Sequence, residues 1–285
     1  MNPALLGLAV ALSWGSADFI ARFTGRGIGH HLALFGMLAI STAAFSLILW
    51  FGDAPLIWNP AGLWSIAVMG IGMMTATLLL YWGLARGPIS IVAPIAGSYP
   101  VINIVFAVFT GTLPTLVQWA AIAVVMVGVI VVAKCAGNFA DGQEHTAESL
   151  RKTVIISLGA AFILGFTVIG AQEAGSIYGE LAAVCFARWV SLVAIIVVIA
   201  WRRQSWKIPM RWWPLIALQG LLDGGAFIGL ASSGGPGAEI AAVVASAFSA
   251  VTIVLARLFL KETISLPQGG GIAMIVIGVA TLMAP

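Results

Sequence analysis

Of 285 residues, 61% are hydrophobic and only 8% are charged, with a mean hydropathy of +1.09 and a formal net charge of +3. An ordinary soluble domain carries roughly a quarter charged residues, so a water-facing surface is excluded and lipid is the solvent for most of the chain. The basic residues form no continuous patch, which argues against a nucleic-acid partner.

A helix needs about 20 apolar residues to cross the hydrocarbon core. Ten windows meet that need: 3–23, 31–51, 62–84, 89–110, 115–134, 153–172, 180–201, 213–231, 238–259 and 267–284. The first lacks the basic n-region of a signal peptide and is read as a retained span. It carries Trp14 and Asp18, with Asp18 one turn before Arg22, a spacing that permits a local ion pair. The GRGIG stretch at 25–29 follows no strand and precedes no Walker lysine, so ATP coupling is not supported. His30 and His31 have no acidic or cysteine partners at ligand spacing, and neither a metal nor another cofactor is expected.

The third window ends with Thr77, Tyr81 and Trp82. The fourth holds Pro94 and Pro100 around Gly97, Ser98 and Tyr99. Each proline removes a backbone donor and crowds the preceding turn, so a single bent helix lining a cavity is expected here. Arg188 and Asp223 lie about ten residues into the seventh and eighth windows, near the midplane of antiparallel neighbours. Ionisable groups at that depth are functional candidates. They form either a self-neutralising pair that fixes packing or an anchor for the carboxylate and amine of a zwitterion. In the ninth window, Glu239 sits where it would stabilise a helix N-terminus. Ser246 and Ser249 follow, and Glu262 beyond them reads as a loop-holding residue. Trp14, Thr77, Tyr81, Ser98, Tyr99, Ser246 and Ser249 together outline an aromatic, hydroxyl-bearing substrate path.

Twelve of the thirteen Lys and Arg residues stand in or beside the first, third, fifth, seventh and ninth connections; Arg188 is the exception. Short basic loops resist translocation, so the parity supports ten spans with both termini on the outer, periplasmic side. A bacterial inner membrane is expected. Trp50, Trp58, Trp64 and Trp119 belong to the outer interface, and Trp82, Trp201, Trp206, Trp212 and Trp213 to the inner one. Cys135 and Cys185 are placed too differently for a disulfide.

Near an offset of 150, Gly15 aligns with Gly165, Thr115 with Ser265, Gln118 with Gln268 and Gly128 with Gly278. Five spans per copy is an odd number, so the second copy enters from the opposite face. The expected fold is an all-α integral membrane protein of ten transmembrane helices in an inverted five-plus-five repeat. Residues 1–137 form the first repeat, 138–152 a cytoplasmic linker and 153–285 the second repeat.

ALSWGSADFIAR at 11–22, GLARGPISIVAPIAGSYPVINIVFAVFTG at 83–111 and ASAFSAVTIVLARLFLKETIS at 245–265 resemble EamA-type members of the drug/metabolite transporter superfamily. Glu262 occupies the family's acidic position in the second half, whereas Thr112 and Leu113 stand where the first half would carry its acid. Size and span number look most like the YddG-type exporters of aromatic and other amino acids. The resemblance implies a secondary transporter, not an enzyme, that exports small metabolites, chiefly amino acids, by alternating access. The substrate would sit between the first, third and fourth spans and the sixth, eighth and ninth. Membrane lipids and a small-molecule substrate are the expected partners of a functional monomer. A proton-carrying Asp18, as in the small multidrug members, would make it a proton-coupled exporter of other metabolites or drugs. An integral-membrane enzyme on lipid-linked substrates would need clustered His, Asp or Glu at one interface, which the chain lacks. A channel subunit would instead show passive, non-saturable conductance.

Overall fold

In lipid, backbone amides and carbonyls must be met within the segment that carries them, so apolar windows fold as helices. A computed structural model describes residues 3–52, 59–109, 115–134, 146–231, 244–245, 247–262 and 264–283. The helices are α1 (Pro3–Ile28), α2 (His30–Phe51), α3 (Leu63–Arg86), α4 (Ile89–Ala96), α5 (Pro100–Phe109), α6 (Leu116–Lys134), α7 (Ala147–Tyr178), α8 (Glu180–Trp201), α9 (Trp213–Ala231), α10 (Phe248–Leu260) and α11 (Leu266–Met283). Short 3-10 turns at Pro60–Gly62 and Met210–Trp212 lead into α3 and α9. With α4 and α5 as two pieces of one span, the described residues form ten spans, all of them helical, of a membrane protein. Among the described residues, α1, α2, α3, α7 and α8 are each long and apolar enough to cross a membrane.

The first helix runs five residues past its window, to Ile28, and two further elements differ from theirs. The fourth span is broken, not bent: α4 stops at Ala96 and α5 starts at Pro100 after the turn of Gly97, Ser98 and Tyr99. Pro94 lies inside α4, which continues past it. Pro100 is the first residue of α5, where a missing N–H leaves no helical bond unmade, so it starts a helix instead of kinking one. The second difference is α7, 32 residues long and begun at Ala147, within the segment expected as linker. The Thr146 hydroxyl accepts from Ser149 N at 3.2 Å and caps it there. Ser246, Trp58, Thr112, Leu113, Cys135, Glu239 and most of the linker lie outside the described residues.

The two halves are exchanged by a two-fold relation, which close glycine contacts make visible. A Cβ built on Gly70 would meet Val190 Cβ at 2.6 Å and Ala187 O at 2.8 Å; one on Gly220 would meet Ile40 Cβ at 2.8 Å and Met37 O at 2.9 Å. Adding 150 to the first glycine and subtracting 150 from its partners gives the second set. Gly128 against Gly271 and Ile275 maps in the same way onto Gly278 against Ala121 and Val125. A simple translation of the repeat would not swap partners across the halves. With five spans per half, the axis lies in the membrane plane and the copies are inverted. Helix packing agrees: α1 on α9 mirrors α7 on α3, α2 on α9 mirrors α8 on α3, and α6 packs on α11 across the axis. Gly29 and Gly179, also 150 apart, hold φ values of 86° and 79° just before α2 and α8, a conformation that L side chains resist.

Gly70→Ala and Gly220→Ala are each expected to lower stability by about 1–3 kcal/mol, because backbone carbonyls must move to admit the methyl. Gly225→Ala, whose Cβ would meet nothing within 4 Å, is expected to unfold at or above the parent temperature. Thermal unfolding in detergent distinguishes them.

Candidate functional site

Two polar clusters join the halves, one at the end that carries the basic residues and one inside the membrane-spanning layer. At the basic end, Pro88 precedes α4 and supplies no side-chain cap, so the first amides of that helix need an acceptor from elsewhere. Glu262 provides it across the halves. Its Oε1 accepts from Ile89 N and its Oε2 from Ser90 N, each at 3.1 Å. Lys261 ends α10 in the left-handed conformation, φ 55°, and so turns Glu262 back toward α4. Arg22 completes the seam: its Nη1 lies 3.3 Å from Glu262 Oε1 and donates to Gly87 O at 2.7 Å. Both residues are buried, at 2% and 1% exposure. Gln268 Nε2 reaches Ser90 Oγ at 3.5 Å. The positions related by the shift of 150 are Gln172 and Thr112, neutral in the sequence.

The second cluster is built on one stripe of α9. Gln219, Asp223 and Phe227 recur every four residues and so share a helix face. Arg188 on α8 approaches Asp223 with Nη2 to Oδ2 at 2.5 Å; Arg188 is 1% exposed and Asp223 15%. Nη2 and Oδ2 meet as an ion pair, while Arg188 Nε is buried with no hydrogen-bond partner among the described residues. Arg188 Nη1 donates to Met37 Sδ at 3.6 Å, and its guanidinium lies 4.6 Å from the centre of the Phe227 ring. Trp14 meets Phe227 and Phe248 edge-on at 5.1 and 6.0 Å. Gln219 Oε1 accepts from Thr24 Oγ1 at 3.0 Å, while its Nε2 is buried beside Tyr81 with no hydrogen bond of ordinary geometry among the described residues. Tyr81, fully packed on α3, neighbours Gln219, Asp18 and Asp223.

Of the residues singled out from sequence, Trp14, Asp18, Tyr81, Arg188 and Asp223 converge on this second cluster. Thr77 is half-buried one turn before Tyr81 on α3. The others gather elsewhere. Ser98 gives its hydroxyl to Ile95 O at 2.7 Å, Tyr99 stands in the α4–α5 break, and Ser249 packs against Gly97. Gln219, Phe227 and Thr24 were missed. The four-residue spacing of Gln219, Asp223 and Phe227 is the signal that would have found two of them.

Removing Glu262 takes the carboxylate from a buried guanidinium and leaves two backbone amides unmet, whereas removing Arg22 leaves Glu262 capped by those amides. Glu262→Leu is therefore expected to destabilise by about 3–5 kcal/mol and Arg22→Met by clearly less. Equal losses in thermal unfolding would show that the cap contributes nothing.

The EamA-like transporter family matches this chain twice, over residues 1–134 and 151–284. No curated protein matches it in sequence. By fold, 24 chains of solved structures match it. One crystal structure has a TM-score of 0.65 at 17% identity, over 98% of this chain and 96% of its own, a likeness of fold alone. Two family matches of equal length, falling on the halves that the glycine contacts exchange, place the chain in the EamA-like transporter family, multi-pass membrane transporters of small molecules.

Proposed function

We propose that the chain is a secondary exporter of amino acids, aromatic ones among them, working by alternating access as a monomer in a bacterial inner membrane. The observation that carries this reading is the Arg188–Asp223 ion pair, with the buried Arg188 Nε and Gln219 Nε2 not hydrogen-bonded among the described residues, beside the rings of Trp14 and Phe227. A zwitterion brings one carboxylate and one ammonium, which complement a guanidinium and a carboxylate. An aromatic side chain adds an edge-on partner for the two rings. The cluster draws α1 from one half and α8 and α9 from the other, so relative motion of the halves would reshape it. The moving bodies would be residues 1–137 and 153–285, joined through 138–152. Basic residues at one end of the helices favour that end as cytoplasmic, with both termini outside.

Purified protein in proteoliposomes is expected to take up aromatic amino acids with saturation and counterflow. Linear, non-saturable uptake would identify a channel, and no saturable transport across an amino-acid panel would remove the reading. Phe227→Ala is the cleaner probe of specificity, expected to raise KM for phenylalanine about tenfold, about 1.4 kcal/mol, with alanine transport little changed. Asp223→Asn is expected to reduce folded yield first, because it leaves Arg188 unpaired inside the span.

One arrangement favours proton coupling as the driving force. Asp18 lies within electrostatic reach of Asp223, and Arg188 pairs with Asp223, so the three groups together carry one negative charge that a single proton would balance. Transport by Asp18→Asn is expected to lose its response to an imposed pH gradient; a full response in that variant would exclude Asp18 as the carrier.

A further inference from the structure

Apart from both clusters, an open groove of about 420 Å³ lies at the basic end, where α1 finishes, α2 begins and α3 finishes. Gly25, Arg26, His30, Trp82, Ala85 and Arg86 line it. Small residues make its floor: a Cβ on Gly25 would stand 3.2 Å from Ala85 Cβ, so α1 and α3 are nearly in backbone contact there. The walls are cationic and fixed. Arg26 Nε donates to Ala85 O at 2.9 Å, which sets the direction of its guanidinium. Arg86 Nε is buried and has no hydrogen-bond partner among the described residues. His30 lies nearly parallel to Trp82, ring centres 5.8 Å apart, and Trp82 is 39% exposed at the rim. Arg202, at the end of α8, adds a further positive charge beside His30 and His31. Among the described residues, no carboxylate lines the groove.

Basic residues at a span end serve orientation wherever they point. That requirement does not explain two guanidiniums converging on one concave surface over a floor of glycine and alanine. Planar guanidiniums are suited to phosphate oxygens, which they bond in pairs. An amphipathic indole at the rim places the groove at headgroup depth. We propose that this groove is a phosphate-ester site, open either to the headgroup of an anionic lipid or to a soluble phosphate ester. Arg26 and Arg86 grip the phosphate oxygens, and Trp82 closes the membrane side. The site stands apart from substrate transport and needs no assumption about it.

The test measures binding to the detergent-purified full chain by native mass spectrometry. One arm titrates phosphatidylglycerol, a second glycerol phosphate, and phosphatidylcholine serves as the reference lipid. Phosphatidylglycerol is expected to bind more tightly than phosphatidylcholine. Arg86→Gln is expected to weaken that binding about tenfold, and Arg86→Lys less, since a lysine keeps the charge without the paired donors. Lys207→Gln removes one positive charge at the same end outside the groove and is expected to leave binding unchanged. Tight binding in the lipid arm alone identifies a headgroup site. Binding of glycerol phosphate that Arg86→Gln also weakens identifies a site for the soluble ester. No preference for the anionic lipid together with no ester binding, or equal losses in Arg86→Gln and Lys207→Gln, would overturn the assignment. Should Arg86→Gln fail to fold, Trp82→Ala is read against Lys207→Gln in the same way.

Discussion

A peptide amide in hydrocarbon has no water to bond, and leaving it unmet costs several kcal/mol. That constraint reaches well beyond the formation of helices. Where the fourth span breaks at Gly97–Tyr99, proline supplies a residue with no donor at the start of α5, and Ser98 turns its own hydroxyl back to Ile95 O. Where α4 begins behind Pro88, its first amides are met by a carboxylate from the other half of the chain. The capping of one short helix therefore also ties the halves together. Arg22 follows from the same need, since a buried carboxylate requires a cation as well as amides. The seam is thus a chain of obligations begun by a proline.

Within the membrane layer the hydrophobic effect offers little to hold one helix to another, because lipid is as apolar as the side chains. Close approach and dispersion must do that work, which explains the glycines on the pseudo-two-fold contacts. At Gly70 and Gly220 the partner helix presents a backbone carbonyl within 3 Å of where a methyl would stand. The glycines and their partners are related by one fixed shift, so the halves use the same surfaces to meet one another. The Arg188–Asp223 group stands near these contacts. It supplies what apolar packing cannot, a definite angle between α8 and α9 and polar atoms with bonding capacity to spare.

Much of the fold was legible in the sequence. The apolar windows locate α2, α3, α6, α8 and α9 to within two residues at each end, since hydropathy reports the lipid requirement directly. The repeat was visible as glycines and caps at an offset of 150. Three things were hidden, each for a physical reason. The break in the fourth span was missed because a proline can bend a helix or begin one, and the choice depends on the turn before it. Extension of α7 to Ala147 rests on a threonine cap within a polar stretch, where hydropathy is silent. Arg22 was counted with the rim charges that orient the chain, yet it is buried against a residue 240 positions away. Sequence spacing shows neighbours along a helix, such as Asp18 and Arg22; it does not show which helix lies opposite. The candidate site was therefore half legible: its ionisable members could be named, but Gln219, Thr24 and Phe227 became visible only as their companions.

The seam at the basic end also makes the two repeats unequal partners. Geometry lets them trade places; charge does not. A motion that parts α1, α4 and α10 at the Glu262 end must separate opposite charges and strand amides in a poorly hydrated gap. The positions related by the repeat shift, Gln172 and Thr112, carry no charge in the sequence. A duplicated fold of this kind behaves as a door with a latch on one leaf. Under the proposed alternating access, the energy needed to swing it would differ by face, and the difference would reside in two side chains that the symmetry alone would have made identical.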